Sequence, residues 1–404
     1  MPTETVIFGD KYFRDPHGFY RDVHAGGSLH RFTTPSGVHG WLITGDQLAR
    51  NVLTDPRIGK GRDTMLGVTT ADEHRVGLRS RARRYGTEWV VTHMLGSDPP
   101  DHTRLRAAVA DHFTPKAVTA LTPRIQALTD ELLDKIDPST PIDLATTLAG
   151  PLPVAIICHI TGIPASHRLR IERSSQVLSD VTVANSSELR TAGLDFTRLI
   201  LPRLIARRWR PRGDLMSTLG AGMATGEVDL KEALSTVALL LIAGHETTSN
   251  LILGTLLALL RDRNEFDRAR AEPEHLASVI NETLRTDPPL PVTTLRQAHT
   301  DVDVDGQRIR RGELLLVSLL AANHDPETVN DPHVFDPDRT VRHMSFGVGV
   351  HHCLGARLAK VEATIAVAEL IQRHPRLQLA VPIEELRWRR SVFFRRLECL
   401  PVTF

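Results

Sequence analysis

The chain is 404 residues long, 41% apolar and 24% charged, an ordinary globular composition that excludes wholesale disorder, collagen and coiled-coil architectures. Its 49 Lys and Arg face 48 Asp and Glu, a net charge of +1, so no global field recruits nucleic acid or a polyanionic surface and any basic site has to be local. At roughly 150 residues per domain, length alone suggests about two to three domains.

Residues 1–20 carry Glu4, Asp10, Lys11, Arg14 and Asp15 and lack the apolar run of a signal peptide or anchor, so a cytoplasmic location is expected. Cys158, Cys353 and Cys399 are sparse and odd in number, as in a reducing compartment rather than a disulfide scaffold. Residues 29–34 and 38–44 are rich in apolar and β-branched side chains with Pro35-Ser36-Gly37 between them, which predicts a hairpin opening a small sheet. Helices are predicted over 101–113, 115–136 and 144–160, with two charged amphipathic ones between 166 and 208. Asp229 with Glu232 forms a capping box ahead of an apolar run that continues to Arg261. That helix, on the order of 50 Å long at 1.5 Å per residue, should cross the middle of the molecule. Residues 237–260 could span a bilayer by length, but His245, Glu246 and Asn250 interrupt them, so a buried helix and no membrane is expected. A helix over 273–285 stops before Pro288-Pro289, an Asp- and Pro-rich loop covers 323–339, and a last helix over 354–374 ends at Pro375.

The most informative stretch is Phe346-Gly347-Val348-Gly349-Val350-His351-His352-Cys353-Leu354-Gly355, which runs into the last helix. A cysteine at a helix N-terminus meets free amides and the positive end of the dipole, which favour the thiolate a metal needs. Gly347 and Gly349 permit tight turns beside it. Two blander readings compete: a small buried hydrophobe, or zinc held with His343, His351 and His352, although their spacing matches no usual structural zinc pattern.

This segment resembles the cysteine-ligand signature of the cytochrome P-450 monooxygenases, with Lys360 where the family usually has Arg. The resemblance implies that Cys353 is the proximal ligand of a haem b, with Phe346 packed near its sulfur, and the family is one in which a thiolate pushes electron density towards O–O cleavage. In the long helix, Ala243-Gly244-His245-Glu246-Thr247-Thr248 resembles the family's oxygen-activation motif. There Gly244 would leave room for the cofactor, the Thr247 hydroxyl would bond back to the Ala243 carbonyl, and Glu246 would supply an exchangeable proton; His245 reads as structural. Glu282-Thr283-Leu284-Arg285 is a commonplace pattern by itself, but its position matches the family's Glu-x-x-Arg clamp, with Arg339 as third member.

Two haem propionates would need cationic partners, and the resemblance supplies His102, Arg106, Arg296 and His351. It implies the family fold, mainly α with small β-sheets (α+β), a long central helix over the haem and the cysteine loop beneath, with residues 1–404 as one unit. It also implies an enzyme that inserts one atom of O2 into a mainly apolar small molecule, a natural-product intermediate, by hydroxylation or epoxidation. Oxidative ring coupling is the runner-up, and a non-catalytic haem-thiolate sensor is the alternative of another class. Electrons would come from an external ferredoxin and its reductase, docked to a monomer at Arg104, Lys116, Arg342, Arg357 and Lys360. Trp89, Leu240, Ala243, Val292, Thr293, Phe393 and Phe394 are expected to line the substrate pocket. The run Arg75, Arg79, Arg81, Arg83 and Arg84 is either a solvated loop or a site for an acidic group.

Overall fold

The hairpin forms where the alternation predicted it: Leu29–Thr33 and His39–Ile43 pair antiparallel, with Leu29 opposite Ile43 and Thr33 opposite His39. In this computed structural model, which describes residues 5–35, 37–61, 92–179, 186–340 and 342–404, the hairpin nucleates a six-stranded sheet. Leu314–Val317 runs parallel to His39–Ile43, Arg296–Ala298 and Ile58–Gly59 follow antiparallel, and Thr5–Val6 closes the other edge. Gly59 thereby lies opposite Gln297, which brings the residue after Gly59 next to Arg296.

Helices Asp101–Ala110, Pro115–Leu133, Pro151–Thr161, Arg168–Ser179 and Ser186–Trp209 occupy the expected helical stretch. The expected helix over 144–160 is broken: Ala145–Ala149 is a π-helical turn, because Pro151 and Pro153 withdraw two amide donors from a regular ladder. Asp10–Arg14, Pro16–His24, Asp46–Thr54, Leu215–Thr225 and Arg263–Ala271 are further helices. Most are too short to show a clear period, and three of them are announced only by acids, Asp15, Asp214 and Asp262, whose side chains cap first-turn amides.

The capping box at the start of the long helix is complete: the Glu232 amide donates to Asp229 Oδ1 at 2.7 Å, and the Asp229 amide donates to Glu232 Oε2 at 2.9 Å. From there Leu230–Arg261 runs 32 residues, about 48 Å, against Pro151–Thr161, Ser186–Trp209, His275–Thr286 and Ala356–Arg373. Val237, Leu241, Ile252 and Leu256 are fully buried in it, each burial stabilising the fold by about 1.5–3 kcal/mol. Leu239 and Thr247 are only half-buried and Ala243 is exposed. Their four-residue spacing marks one accessible stripe on an otherwise buried helix.

Candidate active site

Residues 346–353 close on themselves: the Cys353 amide donates to Phe346 O at 2.8 Å and the Gly347 amide to Met344 O at 2.7 Å. Gly347 and Gly349 take φ of 71° and 76°, a region where any other residue is strained. Gly349 has a second reason, since a Cβ there would lie 2.9 Å from the Leu53 carbonyl. Cys353 does not begin a helix as the sequence suggested. Gly355 caps the helix Ala356–Arg373, so the cysteine stands before the first turn on the loop itself. The thiol is accessible yet ringed by protein, and burial pushes its pKa up while the Gly355 amide and the Arg106 charge work the other way. Among the described residues no three His, Cys, Asp or Glu side chains converge on one point, so His343, His351 and His352 do not join Cys353 in a zinc site.

Beside the loop, the four residues expected to hold propionates come together. The buried His102 ring stands edge-on to His351, with centroids 4.5 Å apart. Arg106, one turn along the same helix, lies close enough for its charge to act on both His102 and Cys353. Arg296 is 4% exposed at the start of its strand. Burial pulls Arg296 down to about 10, His351 down to about 4, and His102 below its ordinary value. His102 Nδ1, Arg296 Nε and His351 Nε2 are buried without a hydrogen-bond partner. A buried guanidinium N–H and buried imidazole nitrogens without partners are costly, so this corner fits a ligand whose carboxylates accept from them.

Sequence reasoning missed two members of this corner. Asp98 Oδ2 accepts from the Lys60 amide at 2.7 Å and from His299 Nε2 at 3.0 Å, and Asp98 Oδ1 lies 3.9 Å from His351 Nε2. Burial opposes its charge, yet His351, His299 and the Lys60 amide outweigh burial and hold the carboxyl at about 2. Lys60, on a short strand end with no local signal in the sequence, is buried.

On the long helix the Thr247 hydroxyl donates to Ala243 O at 2.8 Å, the back-bond expected from the sequence. A Cβ at Gly244 would lie 3.1 Å from Ile157 Cγ1 and Cδ1, so its missing side chain also lets the helix pack closely on Pro151–Thr161. Glu246 is a correction: it is no freely exchangeable acid but 4% exposed and ion-paired, with Arg396 Nη1 donating to both carboxylate oxygens and His245 Nε2 at 3.4 Å from Oε1. Burial works against its charge, but His245 and Arg396 together hold it below the usual range.

The clamp is buried as expected. Arg285 is 1% exposed; its Nε and Nη2 donate to Glu282 Oε2 and Oε1 at 2.8 and 2.7 Å, and its other N–H groups reach the carbonyls of Asn323, Pro332 and Val334. Arg339 Nε lies 3.6 Å from Glu282 Oε1. Asn323 Oδ1 accepts from the Met344 amide at 2.7 Å, which ties the clamp to the cysteine loop.

Of the expected pocket residues, Ala243, Thr293, Phe393 and Phe394 are accessible or half-buried, and Leu240 is buried. Val292 is corrected: it is 1% exposed and packed in the sheet-side core with Phe32, Leu42 and Leu316, which leaves no face for a ligand. Trp89 and the arginines at 75, 79, 81, 83 and 84 lie outside the described residues. In the docking set, Lys116, Arg342 and Arg357 are exposed. Arg104 is corrected, because it is spent on Glu232 and Asp101 at 2.6 and 3.0 Å. Lys360 Nζ donates to Asn281 Oδ1 at 2.7 Å and sits 5.5 Å from the centre of the Phe346 ring.

A family model described as Cytochrome P450 matches residues 207–377. Cytochrome P450 107B1 of Saccharopolyspora erythraea is 36% identical over 403 residues, covering 99% of this chain and 97% of the relative. The chain is a cytochrome P450. Another relative, the cytochrome P450 monooxygenase PikC of Streptomyces venezuelae, is 36% identical over 98% of this chain and 92% of its own length. Among solved structures, the cytochrome P450 enzyme CxnD, for C–S bond formation in chuangxinmycin biosynthesis, superposes with a TM-score of 0.91 at 32% identity, covering 100% of this chain and 97% of that one. This P450 is therefore a haem-dependent oxidoreductase with the mainly helical P450 fold, and the orphaned donors of His102, Arg296 and His351 suit a haem's two carboxylates.

Proposed function

We propose that this P450 inserts one oxygen atom from O2 into a mainly apolar natural-product intermediate, by hydroxylation or epoxidation, with electrons from an external ferredoxin and its reductase. The observation that carries this reading is the convergence of an accessible cysteine, Cys353, with the unpaired buried donors of His102, Arg296 and His351. In it, Cys353 ligates the iron, His102, Arg106, Arg296 and His351 hold the propionates, and Phe346 and Gly347 shape the loop. Residues 1–404 act as one unit, since sheet, central helix and loop all contribute to one site. The bound haem supplies cleavage of dioxygen.

The chain's own residues supply protons and shape. The Thr247 hydroxyl donates to Ala243 O, which leaves Oγ1 free to accept a hydrogen bond from water and hold it in place; it passes a proton onward only when its O–H turns away from that carbonyl. Glu246 is ionised while Arg396 holds it, so it takes up a proton only when that ion pair loosens. The accessible stripe of Leu239, Ala243 and Thr247, with Thr293, Phe393 and Phe394, supports a pocket for an apolar molecule.

The test is to screen macrolides, polyketides and peptides for the spin-state change that follows displacement of iron-bound water, then to turn over each binder under isotopically labelled O2. A product with one labelled oxygen supports the reading. Oxidative coupling or cyclisation is the second reading, favoured by the likeness to CxnD, and a product that loses two hydrogens and gains no oxygen would establish it instead. For the electron donor, ferredoxin-driven reduction should slow as salt rises if Lys116, Arg342, Arg357 and Lys360 form a docking patch. A rate indifferent to salt would overturn the patch.

A further inference from the structure

Lys60 follows the edge strand Ile58–Gly59, is 6% exposed and, among the described residues, has no carboxylate in contact with its ammonium. Its Nζ donates to Thr294 Oγ1, to Leu295 O at 3.1 Å and to Thr294 O at 3.4 Å. All three acceptors are neutral. They belong to the segment immediately before Arg296, so the lysine fixes the backbone from which that guanidinium projects. Asp98, the acid among the described residues whose charge reaches the ammonium, spends Oδ2 on the Lys60 amide and on His299, not on the ammonium. Burial and the neighbouring Arg296 pull the Lys60 ammonium well below its ordinary value, and its charge also reaches His351. Asp98 offsets this only in part, and an ammonium withdrawn from water with no carboxylate in direct contact is strongly unfavourable unless something else in the working protein supplies more negative charge.

The fixed charges of this corner do not balance. Among the described residues the three bases Lys60, Arg106 and Arg296 face one carboxylate, Asp98, while burial pushes His102 and His351 towards neutrality. With all three bases charged, two negative charges are missing from this set, and a haem brings two propionates.

We propose that Lys60 is the third cation of the propionate site: a positioning residue that holds the Thr294–Leu295 backbone, and so Arg296, through its N–H groups, and whose charge completes the neutrality of the loaded site. The inference rests on the haem reading of Cys353 and its neighbours. Because all of its donors are committed, Lys60 acts on the propionates through its charge and through Arg296, not by touching them.

The test uses the haem-loaded enzyme and three variants, Lys60→Gln, Lys60→Met and Lys60→Arg. Two quantities are read, the rate of haem transfer to excess apomyoglobin and the ferric/ferrous midpoint potential. Gln keeps a hydrogen-bond donor without the charge, Met removes both, and Arg keeps the charge. Lys60→Gln and Lys60→Met should release haem about 10-fold faster, as expected for one lost charge interaction at this depth, and both potentials should move to more negative values. Lys60→Arg should restore both quantities towards wild type. A Lys60→Gln protein with wild-type potential and release rate would make Lys60 a hydrogen-bonded strut only and overturn the proposal. Should Lys60→Met not fold, the Gln and Arg pair decides alone. The reduced, carbon monoxide-bound spectrum of the wild type separates the two levels: a missing thiolate band defeats the haem reading itself, whereas a normal band with unaltered Lys60 variants defeats only this inference.

Discussion

Arg396 Nη1 donates to both carboxylate oxygens of Glu246, at 2.9 and 2.8 Å, across 150 residues of sequence. The pair joins the oxygen-motif segment of the central helix to the C-terminal strand Arg396–Leu397, which pairs antiparallel with Trp388–Arg389. Glu246 is nearly fully buried and Arg396 about a fifth exposed on its side chain. Removing the arginine therefore strands a carboxylate. Arg396→Met should cost about 3 kcal/mol of stability, and the double variant Arg396→Met/Glu246→Gln should recover most of it, as measured by chemical denaturation. Equal losses in single and double variants would contradict the pairing.

Thr247 is the neighbour that touches the accessible stripe. Thr247→Ala should retain haem and fold while releasing more hydrogen peroxide per electron consumed, and Thr247→Ser should behave as wild type because it keeps the hydroxyl. The ratio of peroxide to product, measured with a bound substrate, checks it. Tight coupling in Thr247→Ala would remove the threonine from the proton path.

Arg285 spends its guanidinium on Glu282 and three backbone carbonyls while almost fully buried. Arg285→Leu should cost about 3 kcal/mol by taking the bidentate partner from buried Glu282, which keeps only the Asp336 amide at 3.0 Å and the looser Arg339 at 3.6 Å. Arg285→Lys should recover only part of this, because an ammonium cannot make the bidentate contact or reach every carbonyl. The expected readout is a lower yield of haem-loaded protein from both variants, with Leu the worse.

The pH dependence follows from two histidines, His324 beside the clamp segment and His343 at the start of the cysteine loop. Burial holds His324 down at about 3 and His343 at about 4, against an ordinary 6.5. Between pH 6.5 and 4 the unfolded chain binds protons that the folded chain refuses, so stability rises with pH across that window and falls on acidification. Each such histidine contributes up to about 1.4 kcal/mol per pH unit. Melting temperature against pH should therefore drop below pH 6.5, and His324→Gln should flatten the slope.

What was legible in the sequence was local. The capping box at Asp229 and Glu232, the turns at Gly347 and Gly349 before the cysteine, the back-bond of Thr247 and the Glu282–Arg285 pair each depend on residues within six positions of one another, and all form as read. What was not legible depends on packing between distant segments. The packing of Gly244 on Ile157 has no local sign. Glu246 looked like a free acid, because nothing in its own helix announces Arg396. Lys60 and Asp98 enter the site through the pairing of Ile58–Gly59 with Arg296–Ala298, a strand register with no local signature in two short segments. Val292 looked like a pocket wall because it is apolar and near Arg296, and the sheet turned it into the core.

The claim on which the rest depends is that Cys353 binds the haem iron as a thiolate. The reduced protein with carbon monoxide tests it most directly. The wild type should show a strongly red-shifted Soret band, and Cys353→Ala should lose either that band or the haem. A correctly folded, haem-loaded wild type without the band, or a Cys353→Ala variant that keeps it, would contradict the account.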